Sequence, residues 1–148
     1  MKGFNMNRLV LAISLCSLLM LGSAVSAQES AKVQVTIKIS AKTPSFKDQR
    51  LVVMLYHDFP LQDDRGPKTV DKHIDTKFSH EKGKETVVTI TLGEKAKLKR
   101  DVQYTVNVYV YDGGKRTHFG ELDGEQGPFN VLTNGRPSKL TLVVRAAP

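Results

Sequence analysis

The sequence predicts an all-β protein, an antiparallel β-sandwich of seven to eight strands, on three observations. Apolar and polar residues alternate with a period of two in several segments, the mark of strands with one dry face and one wet face. Turn-forming residues interrupt these segments at intervals of roughly ten residues. Beyond residue 27 no stretch carries the length and periodicity of a substantial helix. An up-and-down barrel is the rival architecture, since its strands alternate in the same way.

Val33, Val35, Ile37 and Ile39 alternate with Gln34, Thr36, Lys38 and Ser40, and Thr43-Pro44-Ser45 ends this first strand. Leu51 to Tyr56 is apolar on both faces, which predicts a central strand covered on each side. His57 to Lys68 is the longest polar connection; Pro60, Gly66 and Pro67 forbid a continuous strand or helix there. A weaker strand follows, with Ile74, Thr76 and Phe78 expected on one face. Glu81-Lys82-Gly83-Lys84 turns the chain into a strand from Thr86 to Leu92. Gly93 to Asp101 suggests a short helical turn anchored by Leu98. Tyr104, Val106, Val108 and Val110 then alternate with Thr105, Asn107, Tyr109 and Tyr111. Asp112-Gly113-Gly114 is a hairpin signal, because glycine reaches positive φ without a steric penalty. Lys115 to Glu121 returns, and Leu122 to Pro128 reads as a Gly-rich acidic loop. Phe129 to Leu132 and Leu140 to Arg145 are the last strands.

The first 27 residues have the pattern of an export signal. Lys2 and Arg8 supply the positive start, and Leu9 to Leu21 form an apolar run within the usual range of roughly 7–15 residues. Val25-Ser26-Ala27 places small residues at −3 and −1, so cleavage is expected after Ala27, leaving one domain over residues 28–148. The run is shorter than the roughly 20 residues a transmembrane helix needs, and no later stretch approaches that length. The chain's one cysteine, Cys16, lies in the leader, so the mature domain holds no disulfide. Leu15 precedes Cys16 where a lipid-anchor signal has a small residue, which favours simple cleavage. The formal net charge is +7, and the leader accounts for only part of it. A mildly basic surface allows weak association with acidic membrane lipid. Nothing marks a nucleic-acid-binding module, and export argues against one.

The string from Tyr104 through Tyr-Val-Tyr-Asp-Gly-Gly-Lys115, the later Val131-Leu132-Thr133-Asn134-Gly135-Arg136-Pro137 turn, and the closing Leu140-Thr-Leu-Val-Val resemble the C-terminal half of the YbaY/YscW-like proteins. Those are small exported β-sandwich lipoproteins that include type III secretion pilotins. The resemblance covers about 45 residues well and extends more loosely through Val33 to Ile39 and Leu51 to Tyr56. It implies an immunoglobulin-like or transthyretin-like sandwich outside the cytoplasm, acting by binding. It carries over no catalytic residue, and the family's lipid-anchor cysteine pattern is missing.

Two constellations are candidate sites. On a regular strand Arg116, His118 and Gly120 share one face and Thr117, Phe119 and Glu121 the other. With Phe119 inward, Arg116 and His118 form an anion- or carboxylate-binding shelf, with Tyr109 and Tyr111 as a neighbouring aromatic platform. Glu121 is counted with this candidate binding group. Ordinary pairing of Arg116 and His118 with Asp or Glu, supplied by Asp123 and Glu125 of the next loop, is the blander reading, as is half-burial of the tyrosine rings. The second group is His57, Asp58, Asp63, Asp64 and His73. Imidazole and carboxylate together suit zinc or copper, and oxygen-rich loops suit calcium. The spacing matches no established metal motif, and Asp, Pro and Gly also belong in loops for backbone reasons.

No cofactor is called for by any motif. No Gly-x-Ser-x-Gly elbow, no mature cysteine nucleophile and no phosphate-binding loop is present, so catalysis is not expected. The expected function is a periplasmic or secreted, non-enzymatic binding or assembly module. It would contact another envelope or extracellular protein through sheet edge and loops. A small-ligand or metal binder is the alternative.

Overall fold

A computed structural model describes residues 29–58 and 66–148. The leader and the middle of the His57–Lys68 connection lie outside the described residues. Nine strands follow one another: β1 Val33–Ile39, β2 Phe46–Asp58, β3 Lys68–His80, β4 Thr86–Leu92, β5 Gln103–Asp112, β6 Lys115–Leu122, β7 Glu125–Gln126, β8 Phe129–Val131 and β9 Lys139–Ala146. Seven form one continuous sheet in the order β3-β2-β5-β6-β9-β1-β4, with β7 added to β6 and β8 to β5.

The all-β expectation holds, but the architecture is not a clear antiparallel sandwich. The sheet curls into a nearly closed barrel, and its strands are of mixed direction because β1 and β9 run parallel. Alternation reports only that each strand has a dry face. A sandwich and a curled sheet share that property, and pairing direction is set by residues far apart in sequence. The dry faces meet inside: Val33, Val35, Ile37 and Ile39 of β1 are fully buried, together with Leu51, Val53 and Leu55 of β2. Val106, Val108 and Val110 of β5 and Leu142 and Val144 of β9 complete this core. β2 is central as expected, lying between β3 and β5.

The terminal strands β3 and β4 face each other across a seam pinned by side chains at both ends. Asp71 Oδ2 accepts the Gly93 N–H at 2.7 Å at one end. At the other, His80 Nδ1 lies 2.9 Å from Thr86 Oγ1. Irregularities in β2–β3 pairing change which face β3 presents. Ile74 therefore pairs with Val52 on the outside, while Phe78 enters the core; the expected sharing of one face by these two is not found.

Residues 93–101 form turns and no helix. Tyr104, almost fully buried, holds this segment from below: its hydroxyl accepts the Lys99 N–H at 3.0 Å. Leu98 packs on the core as its expected anchor. Gly93 is tightly confined. Its φ is +69°, and a Cβ there would lie 2.0 Å from the Ala31 carbonyl oxygen. Gly120 meets only side chains, Val108 Cβ at 2.9 Å and Leu142 Cδ1 at 3.3 Å.

Gly93→Ala should therefore destabilise the fold by at least about 3 kcal/mol, combining backbone strain with overpacking against a main chain that cannot give. Gly120→Ala should cost about 1–3 kcal/mol: Leu142 Cδ1 can swing aside, whereas Val108 Cβ moves only with its strand. Urea unfolding of the two variants checks this. Equal midpoints for them would refute the assigned confinement.

Candidate functional site

The outer surface of β2, β5 and β6 is where the sequence-derived binding residues gather. A bulge decides the arrangement. In β5–β6 pairing Val110 faces His118 and Tyr111 faces Arg116, leaving Thr117 as an extra residue between two ordinary pairs. The bulge reverses alternation across Thr117. Arg116 stays outside with Tyr111, whereas His118 and Gly120 turn inward.

The expected shelf of Arg116 beside His118 is consequently not formed, and Phe119 is on the outer side. Tyr109, Tyr111, Arg116 and Glu121 do share that outer face. The Arg116 guanidinium carbon lies 5.3 Å from the centre of the Tyr109 ring, and that of Arg50 lies 4.9 Å from the Tyr111 ring. The two tyrosine rings meet edge to face, 6.2 Å apart. Each cation–π contact contributes roughly 0.5–1 kcal/mol at such exposed positions. Glu121 is partly buried and ion-paired with Arg145, its Oε2 lying 2.9 Å from Nε.

A row of outward residues crosses the sheet at this level. Ile74, Val52, Tyr109 and Phe119 pair in succession from β3 to β6. Val52 and Phe119 are each only 7% exposed, although neither belongs to the inner core. Tyr56 continues the patch along β2. Burial first, and then the neighbouring Tyr109 and Tyr111, raise its hydroxyl pKa above the ordinary phenol value. Arg50 is the residue that the sequence reading missed. Its signal was available: Arg50 and Val52 share a face on a strand predicted to be covered on both sides.

Inside the barrel, His118 belongs to a small aromatic cluster. Its ring centre is 5.0 Å from that of Phe46, and His80 lies 5.7 Å from Phe46 on another side. Thr117 donates its hydroxyl proton towards Gln49 Oε1 at 2.8 Å, so its oxygen accepts from His118 Nδ1 at 3.0 Å. Burial lowers the His118 pKa, and nearby His80 lowers it further. An open groove of about 660 Å³ lies over Phe46 and His80 at the β3–β4 end.

The histidines of the metal alternative are placed apart. His57 is buried at the end of β2, its ring 6.0 Å from that of Tyr104. Burial, then Lys99 and Lys68, lower its pKa. His73 is exposed and pairs with Val53, about 13 Å back along β2 at ~3.3 Å per residue. Asp58 is exposed, and Asp63 and Asp64 lie outside the described residues. Among the described residues no three potential metal ligands come together.

No protein-family model matches this chain, and no curated protein matches it in sequence. Among solved structures it is similar to an alternative pilotin from the type II secretion system of Vibrio cholerae. The TM-score is 0.55 at 13% sequence identity, over 81% of this chain and 99% of that one. The fold is pilotin-like. At this identity the likeness bears on fold and does not single out the YbaY/YscW-like group.

A lowered histidine pKa has a definite sign. The unfolded histidine takes its proton near the ordinary value of about 6.5, and the folded one resists it. Stability is thus fully present above that value and lost as pH falls below it, levelling off beneath the folded pKa. Chemical unfolding at pH 7.5 and 5.5 should show the wild type less stable at pH 5.5. In His118→Phe the difference should shrink, His57 supplying what remains. A pH dependence unchanged by the substitution would refute the role given to His118.

Proposed function

We propose that this protein is exported and acts as a non-catalytic binding module, joining another envelope or extracellular protein in a secretion-type assembly. The observation that carries this reading is the likeness of fold to a type II secretion pilotin, extending over nearly the whole of that protein. The leader pattern, with small residues at Val25 and Ala27, supports export. Binding rather than chemistry also suits the surface, whose polar groups are spread over strands and rims.

The contact regions are the outer face of the β5–β6 hairpin and the rims of β3 and β4 along the seam, between its side-chain pins at Asp71 and His80. A rim strand offers backbone donors and acceptors to an added strand, with alternate side chains giving selectivity. On β4, Val87 is 50% exposed and points outward on such a rim.

Export makes a direct prediction. The protein recovered from the envelope fraction should begin at Gln28, and Ala27→Phe should leave an uncleaved precursor. Intact-mass measurement decides between the two products. Full-length protein found uncleaved in the cytosol would remove the export reading.

For binding, affinity capture with the tagged protein from its native envelope, followed by mass spectrometry, should return a component of an envelope assembly. Val87→Lys should change stability by no more than about 0.5 kcal/mol, as an exposed substitution. It should also reduce capture severalfold. Capture of nothing above a tag-only control would overturn the proposal.

A further inference from the structure

The outer face of β2, β5 and β6 carries hydrogen-bond donors that the protein's own carboxylates do not occupy. Pairing sets Arg50, Tyr111 and Arg116 side by side on three adjacent strands. Among the described residues neither arginine has a carboxylate within ion-pair reach, and Glu121 on the same face is engaged by Arg145.

Each guanidinium lies over a tyrosine ring, and this determines what the patch can recognise. A sugar or a flat heterocycle that needs an open ring face finds a cation already there. The groups left on offer are guanidinium N–H edges and phenol hydroxyls, donors suited to oxyanions. Beside them runs the row of Ile74, Val52, Tyr109 and Phe119, with Ile74 44% exposed.

A free phosphate or carboxylate ion makes no use of that apolar row. A bilayer would call for projecting apolar side chains that insert between lipids. Here Val52 and Phe119 are nearly buried, so the row is a shallow floor. A peptide with both acidic and apolar side chains matches both features.

We propose that the strip Arg50–Tyr111–Tyr109–Arg116 docks an acidic segment of a protein partner. Carboxylates sit on the two guanidiniums, and apolar side chains lie along the row that starts at Ile74. This inference rests on the reading of the protein as a binding module and names the chemistry of its partner.

The test uses the mature protein and a short fluorescent peptide of alternating glutamate and leucine, followed by anisotropy. The same peptide with lysine for glutamate is one control, and anionic phosphatidylglycerol vesicles are the other. The glutamate peptide should bind and weaken with added salt, while the lysine peptide should not bind. Arg50→Gln/Arg116→Gln should weaken binding at least about tenfold, as expected for loss of charge-assisted hydrogen bonds. Its melting temperature should fall by only several degrees, from loss of the two cation–π contacts, and its circular dichroism should be unchanged. Arg50→Lys/Arg116→Lys, which keeps charge but loses the planar fork, should retain part of the binding.

Absence of peptide binding, or equal binding by the Gln variant, would overturn the inference. Arginine-dependent binding to vesicles without binding to the peptide would also overturn it, in favour of a lipid surface. Envelope capture separates this failure from that of the broader reading. If the Gln variant still captures the native partner and Val87→Lys does not, the acidic-segment inference fails and the binding module stands.

Discussion

The parallel pairing of β1 with β9 is the constraint on which the rest of this structure depends. It joins the first strand to the last, and without it β1 and β4 would form a separate two-stranded ribbon. The dry face of that ribbon, Val33 to Ile39, is buried only because the pairing curls it over the opposite strands. Each such side chain contributes roughly 1.5–3 kcal/mol when withdrawn from water. A slip of one residue in this register would turn every apolar side chain of β1 to solvent, so burial itself fixes the alignment.

Curling also creates the seam. β3 and β4 are consecutive in sequence, yet the sheet closes from the other direction and brings them together as its two ends. Side chains hold them where a hydrogen-bonded ladder would otherwise run, through Asp71 at one end and His80 at the other. The His80 ring belongs to the same aromatic cluster as His118, so closure of the seam and burial of the two histidine rings are physically connected.

Much of the fold was legible in residue order. The alternation in β1, β4, β5 and β9, the central place of Leu51 to Tyr56, and the Asp112-Gly113-Gly114 hairpin are local properties, and all appear. Pairing order, the parallel β1–β9 contact and curled closure were not legible, because alternation identifies a dry face without naming what covers it. The candidate site was legible in part for a related reason. Tyr109, Tyr111, Arg116 and Glu121 share a face, as their chemistry suggested, but His118 does not join them. Thr117 carries no local mark of a bulge. Its place is set by hydrogen bonds to Gln49 and Val110 on neighbouring strands.

The two-sided character of β2 explains why aromatic and cationic side chains gather on this face. Val52 is covered on its outer side, and among the described residues no helix packs over it. Its cover comes from the row it shares with Tyr109 and Phe119 and from the aromatic and cationic side chains around them. Among those side chains the arginines stand over the tyrosine rings. They stand on hydrogen-bonded strands, so their spacing is fixed by the sheet before any partner arrives. A site organised in this way gives up little conformational freedom on binding, which is the advantage of a strand-borne surface over a loop. The packing that protects the outer side of β2 is therefore the same arrangement that presents a fixed pattern of donors.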